Sequence, residues 1–176
     1  EGFDSSLFAV SPLCIDPIDK IKEAYNNIIF ENLCFHPEEN SKTSQLRITY
    51  SAMHGVGYRP TLWAIKKFNL PLPIPVPEQC EGNCDFPTYK FINPDKVEQV
   101  FEHAITCANA HKSDLIICQD PDAGCIGLAV RQNGTSFRIL HDYHIAILLC
   151  WWLVQHFKGD RSKARFFNSI ISTQMV

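Results

Sequence analysis

Residues 115–131 read LIICQDPDAGCIGLAVR, and no other stretch restricts the fold as much. An apolar strand runs straight into the acidic turn Asp120-Pro121-Asp122-Ala123-Gly124-Cys125, and a second apolar strand leaves it. Pro121 limits the conformations open to that turn. Two carboxylates on alternate residues at the carboxyl end of a buried strand can converge on a hard cation. In open α/β sheets, ligands bind at that end of the strands.

The rest of the chain supplies helices to cover such a sheet. Asp16-Pro17 predicts a helix start, and Ile18, Ile21, Tyr25, Ile28 and Ile29 then recur at helical spacing to about Cys34. Pro37 to Ser44 reads as a polar loop. Leu46 to Tyr50 reads as a strand, Ser51 to Gly57 as a turn, and Pro60 as part of the first turn of a helix ending near Phe68. The prolines between Leu70 and Pro77 allow only a short edge strand, Ile74 to Val76.

Glu78 to Asn93 is a long loop for a compact domain. Asn93-Pro94-Asp95 opens a helix reaching Ala110. Beyond the acidic turn, Asn133-Gly134 signals a two-residue hairpin with Phe137 to Leu140 as the return strand. Asp142 caps a final apolar helix to about Phe157, and Phe166 to Ile171 reads as one more strand. Mostly alternating elements with one hairpin predict an α/β fold, a three-layer α/β/α sandwich around a mixed, mostly parallel sheet.

The 176 residues suffice for one domain, with 45% hydrophobic and 20% charged residues typical of a globular protein. A net charge of −3 gives no reason to expect nucleic acid or an anionic membrane as partner. The basic cluster from Lys158 to Arg165 reads as a solvated loop. The longest apolar run, Ile145 to Val154, is far short of the roughly 20 residues that span a bilayer. Eight cysteines are scattered, mostly through apolar segments, which suits buried reduced thiols and a cytoplasmic setting. Cys80 and Cys84 alone look paired, at a spacing unlike common zinc knuckles. The start at Glu1 and the stop at Val176 read as ends cut from a longer chain.

Several motifs together carry a family resemblance. Ser51-Ala52-Met53-His54-Gly55-Val56-Gly57, Val76-Pro77-Glu78-Gln79, Asp85-Phe86-Pro87-Thr88, Lys90-Phe91-Ile92-Asn93-Pro94, Asp120-Pro121-Asp122-Ala123 and the Leu148–Leu153 run LLCWWL occur in order, with Ser11-Pro12-Leu13 ahead of the first helix. This pattern resembles the second domain of the α-D-phosphohexomutases, in the branch holding phosphopentomutase/phosphoglucomutase and glucose-1,6-bisphosphate synthase. The resemblance implies residues 1–164 as that second domain and residues 165–176 as the start of a third. It also implies intramolecular phosphoryl transfer on glucose or ribose phosphates through a phosphoserine in another domain, and Mg²⁺ held by loop aspartates. The implied partners are a phosphosugar and further mutase domains in cis.

The sequence departs from that pattern at the turn. Asp120 and Asp122 stand at the first two metal positions, Gly124 at the third, and Cys125 where an arginine would meet phosphate. Two carboxylates in place of three predict a weakened Mg²⁺ site. His54, Gly55 and Gly57 form a possible active-site turn, His54 for hydrogen bonding rather than proton transfer and the glycines for close approach. His141 and His144, three apart, either share a metal or divide into one exposed and one packed ring. Trp63, Trp151 and Trp152 read as core or interdomain packing. Two other readings stay open. The chain could be a non-catalytic binding or interaction module. It could also be a haloacid-dehalogenase-type phosphatase with Asp120 as nucleophile and Asp122 as general acid, although Gly124 lies where that class wants Thr or Val.

Overall fold

A computed structural model describes residue 12, residues 15–34, 36–40, 42, 45–89 and 97–165, and residue 167. The elements run α1 (Ile18–Leu33), α2 (Pro37–Asn40), β1 (Ile48–Ser51), α3 (Tyr58–Lys67), β2 (Ile74–Pro75), a 3₁₀ turn (Pro77–Gln79), α4 (Val97–Ala110), β3 (Leu115–Gln119), β4 (Ile126–Arg131), β5 (Phe137–Leu140), α5 (Asp142–His156) and a second 3₁₀ turn (Arg161–Lys163). The sheet order is β2-β1-β3-β4-β5. β1 is parallel to β2 and β3, β4 is antiparallel to β3, and β5 is antiparallel to β4, so four of the five strands point one way.

The topology fixes the layers. The chain steps from β1 outward to β2 and then back past β1 to β3. Right-handed crossovers in opposite directions place α3 and α4 on opposite faces of the sheet. Strand alternation agrees with this. Thr49, Ser51, Ile116, Cys118 and Ala129 face α4, where they join Val76, Phe101, Ala104 and Ala108 in the buried core. Gly127 lies on the same face, and a Cβ there would sit 2.9 Å from the Phe101 ring. Tyr50 points the other way, toward Tyr58 and Thr61 of α3.

α1 packs on α3, with Phe30 and Phe68 at a centroid separation of 5.8 Å. α5 lies against β4 and reaches the end of α1 through His36, which contacts Trp152 and His156. α5 is apolar on all sides, yet Leu148, Leu149 and Trp151 are more than half exposed. A helix apolar all round normally has cover all round. No helix among the described residues is long and apolar enough to cross a membrane.

Local differences from the sequence reading have simple causes. Pro37–Asn40 forms a helical turn in place of a loop, closed by Asn40 donating to the Phe68 carbonyl at 2.7 Å. Asp16 accepts from the Ile18 N–H at 3.0 Å, but Pro17 holds the cap position of α1. His141, not Asp142, occupies the cap position of α5. The β4–β5 connection is longer than a two-residue turn: Gln132 N–H donates to Ser136 O, and Gly134 alone in it has positive φ. A type I′ turn needs positive φ at both central residues. The helix start at Asn93–Asp95 and a strand at Phe166–Ile171 lie outside the described residues, save for residue 167.

Candidate functional site: an acidic turn at the carboxyl end of the sheet

β1 and β3 are adjacent and parallel, so the turns that follow them emerge side by side. The Val56 N–H donates to the Pro121 carbonyl at 2.9 Å across the gap. A Cβ on Gly55 would overlap the Pro121 carbonyl and Cα, so only glycine permits this approach. A Cβ on Gly57 would lie 2.6 Å from Gln119 Oε1. The close-approach role expected of both glycines thus has named neighbours.

The acidic turn is closed by its own hydrogen bonds. Asp120 N–H donates to Cys125 O at 3.2 Å, and Ala123 N–H to Asp120 O at 2.9 Å. Asp120 Oδ1 accepts from Cys125 N–H at 2.7 Å, and Asp122 Oδ1 accepts from Gly124 N–H at 3.1 Å. Ala123 is held at φ 61°, a region that costs a non-glycine residue about 1–2 kcal/mol. The Cys125 N–H holds the Asp120 carboxyl below its usual range, and the approach of Asp122 adds to the effect. The two carboxylates therefore lie together at the solvent-facing tip. Cys125 is exposed, and the Asp120 carboxylate pushes its thiol up, which keeps it protonated near neutral pH.

Behind the tip, the turn is anchored on both faces of the sheet. On the α3 side, Gln119 Oε1 accepts from the Tyr50 hydroxyl and from Thr61 Oγ1, the latter at 2.9 Å. On the α4 side, His54 is 3% exposed and its Nε2 meets Thr88 Oγ1 at 2.8 Å. Burial, with His103 nearby, pulls the His54 pKa down, so the ring is neutral. Gln79, fully buried, accepts from Ser51 Oγ at 2.7 Å and donates to Thr88 Oγ1 and the Tyr89 hydroxyl at 3.0 and 2.9 Å. Burial pushes the Tyr89 hydroxyl up to about 12.

The sequence reading named His54 and the glycines but missed Gln79, Thr88, Tyr50, Thr61 and Gln119 as supports. Gln79 and Thr88 fall inside quoted motifs, which was the one available signal. Cys80 and Cys84 are unbonded thiols. His141 and His144 sit 5.8 Å apart between ring centroids, with Tyr143 against both. His141 is exposed and His144 half-buried, which matches the divided reading of the pair. Among the described residues, no group of three or more His, Cys, Asp or Glu side chains is placed to hold a metal. The acidic turn therefore offers two carboxylates and not three.

The family model of the phosphoglucomutase/phosphomannomutase α/β/α domain II matches residues 23–134, a stretch that includes β1 to β4 and the whole acidic turn. The chain belongs to that family. Its mixed sheet with flanking helices is the domain II architecture. Among curated relatives, the human glucose 1,6-bisphosphate synthase is 32% identical over 162 residues, covering 92% of this chain and 26% of the relative. The human phosphopentomutase is 33% identical over 185 aligned residues, covering 100% of this chain and 29% of the relative. A probable phosphomannomutase of Haemophilus influenzae is 32% identical over 116 residues, covering 66% of this chain and 24% of the relative. The chain thus spans less than a third of the length of these relatives. No solved structure gives a significant match.

Proposed function

We infer that this chain is the second domain of a phosphosugar mutase, and that Asp120 and Asp122 hold a divalent cation, Mg²⁺, beside the phosphoryl group in transfer. The observation that carries this is that Asp120 and Asp122 share one hydrogen-bonded turn at the carboxyl end of β3, each oriented by a backbone N–H of that turn, within the stretch matched to the family. The donor set fits the ion in part. Oxygen ligands suit Mg²⁺, which commonly keeps several waters beside one or two carboxylates. Gly124 supplies no third carboxylate, so the site is weaker than a three-carboxylate one. When bound, the ion stabilises charge on the phosphoryl oxygens.

The chain's own residues have separable tasks in this reading. Asp120 and Asp122 supply negative charge and oxygen ligands. The Cys125 and Gly124 N–H groups keep the two carboxylates oriented. Cys125 offers no cation to a phosphate, so anion binding falls to other parts of the polypeptide. The phosphoserine and the sugar-reading residues belong to other domains in cis, and the exposed apolar side of α5 offers those domains a packing surface. The substrates are glucose or ribose phosphates, in keeping with the names of the relatives.

Assaying the full-length parent polypeptide with glucose 1-phosphate and ribose 1-phosphate, with and without Mg²⁺, tests the reading. Activity that needs Mg²⁺ and is lost in Asp122→Asn supports it. Mutase activity indifferent to Asp120→Asn and Asp122→Asn would remove the assigned role. The family match weighs against the phosphatase alternative, which predicts a phosphorylated Asp120.

A further inference from the structure

The buried polar network around Gln79 does more than fill the space behind the sheet. Gln79 accepts the Ser51 hydroxyl and donates to Thr88 Oγ1 and the Tyr89 hydroxyl. Its carbonyl accepts the His54 N–H at 3.0 Å. Thr88 Oγ1 also meets His54 Nε2 at 2.8 Å, and the His54 carbonyl accepts from Asn83 N–H at 2.9 Å. The loop of residues 77–89 thus grips His54 through its N–H, its ring and its carbonyl. Met53 and His54 both sit at positive φ, 50° and 63°, a conformation that persists in non-glycine residues only where the surroundings impose it. Immediately beyond, Gly55 packs on Pro121 and Val56 N–H bonds its carbonyl. Pro121 lies between Asp120 and Asp122.

We propose that Thr88 and Gln79 are positioning residues for the acidic turn: the loop of residues 77–89 sets the turn at His54–Val56, and that turn sets Pro121 and the two carboxylates. The cation-binding part of this inference rests on the function proposed above, while the mechanical link between the two turns does not. Thr88 is the hinge of the relay because one hydroxyl bridges the Gln79 amide and the His54 ring. The Thr88 hydroxyl accepts from the Gln79 amide, and the direction of its hydrogen bond with His54 Nε2 is set by the histidine tautomer.

Thr88→Val removes that hydroxyl and keeps the shape of the side chain; Thr88→Ser restores it. Two readouts separate positioning from general support. The first is amide hydrogen exchange in the metal-free chain at Val56, which bonds Pro121, and at Cys125, which bonds Asp120. The second is affinity for Mn²⁺ as probe, followed by water-proton relaxation. Thr88→Val is expected to speed exchange at Val56 and Cys125 about fivefold or more and to weaken Mn²⁺ binding about three- to tenfold, the worth of one buried hydrogen bond. The β3–β4 ladder amides should stay unchanged, and Thr88→Ser should recover both effects. Unaltered exchange at Val56 and Cys125 would overturn the proposal. A uniform rise that includes the ladder marks a purely structural network and overturns it as well. If the two amides respond but the wild-type chain binds no Mn²⁺, the link between the turns stands and the cation reading fails.

Discussion

Gly55 and Pro121, 66 positions apart in the chain, are in backbone contact so close that no side chain fits between them. This contact joins the turns that follow two adjacent parallel strands. Gly55→Ala is expected to push those turns apart, break the Val56–Pro121 hydrogen bond and cost about 2–4 kcal/mol in urea denaturation. Gly57→Ala should cost less, about 1–2 kcal/mol, because its obstacle is the end of the Gln119 side chain rather than backbone. Equal costs for the two would mean that the backbone contact is not the constraint.

Gly124→Asp is expected to raise Mg²⁺ affinity by about tenfold, since a third carboxylate adds charge that water cannot replace. The nearest obstacle to a new Cβ is Asp122 Oδ1 at 3.3 Å, the end of a side chain rather than backbone. Calorimetric titration of the variant against the wild-type chain measures the difference. Identical affinities would show that the missing carboxylate does not limit the site.

Folding stability should fall as pH drops below about 6.5, the ordinary histidine value, with part of the slope owed to His54. Its folded pKa is lowered, first by burial and then by His103. The unfolded chain therefore binds a proton that the folded chain resists. The His54 contribution is complete above the unfolded pKa and is lost as pH falls through the folded pKa. Denaturation midpoints of wild type and His54→Asn, compared at pH 7.5 and 5, isolate it; the variant should show the smaller change between the two conditions.

Among the described residues, Arg131 is held by carbonyl and amide oxygens rather than by a carboxylate. Its guanidinium donates to Ser113 O at 2.6 Å, Ala108 O at 3.0 Å, Asn109 Oδ1 at 2.9 Å and Gly134 O at 2.6 Å, and it lies 4.4 Å from the Phe137 ring centroid. It thus binds the carboxyl end of α4, where a cation is favoured, to the β4–β5 connection. Arg131→Met is expected to cost about 2–4 kcal/mol by leaving several carbonyls without a donor. Denaturant titration checks this, and a cost near zero would mean that water replaces the guanidinium freely.

Reaction of Cys125 with iodoacetamide should require higher pH than an ordinary exposed thiol, because the Asp120 carboxylate disfavours the thiolate. Asp120→Asn should shift the rate profile to lower pH. Mass-spectrometric labelling kinetics across pH 7–10 would read both, and coincident profiles would show that the carboxylate does not act on the thiol.

Local signals read well where hydrophobic pattern and capping act within a few residues. The Leu115 strand, the Pro60 helix start, the Ile74 edge strand and the Phe137 return strand all follow from such signals and form close to the expected positions. The errors came where a distant partner decides. Pro37–Asn40 is held helical by a carbonyl 28 residues away, and nothing in its own composition reveals that. The exposed isoleucines of α1, Ile18, Ile21 and Ile28, have the right spacing for a helix, but the spacing gives no account of what covers them.

The sequence by itself determined the α/β alternation and the place of Asp120 and Asp122 at the carboxyl end of a buried strand. It also showed that the turn carries Gly124 and Cys125 beyond those two carboxylates, because residue identity and strand polarity are local properties. Only the tertiary structure decided that the turn at His54–Val56 lies against Pro121, that Gln79 is buried at its centre, and that Thr88 joins the two. Those relations are hydrogen bonds and contacts between residues 9 to 66 positions apart. They exist because parallel pairing of β1 with β3 brings two carboxyl-terminal turns together, and parallel pairing always joins strands that are distant in the chain.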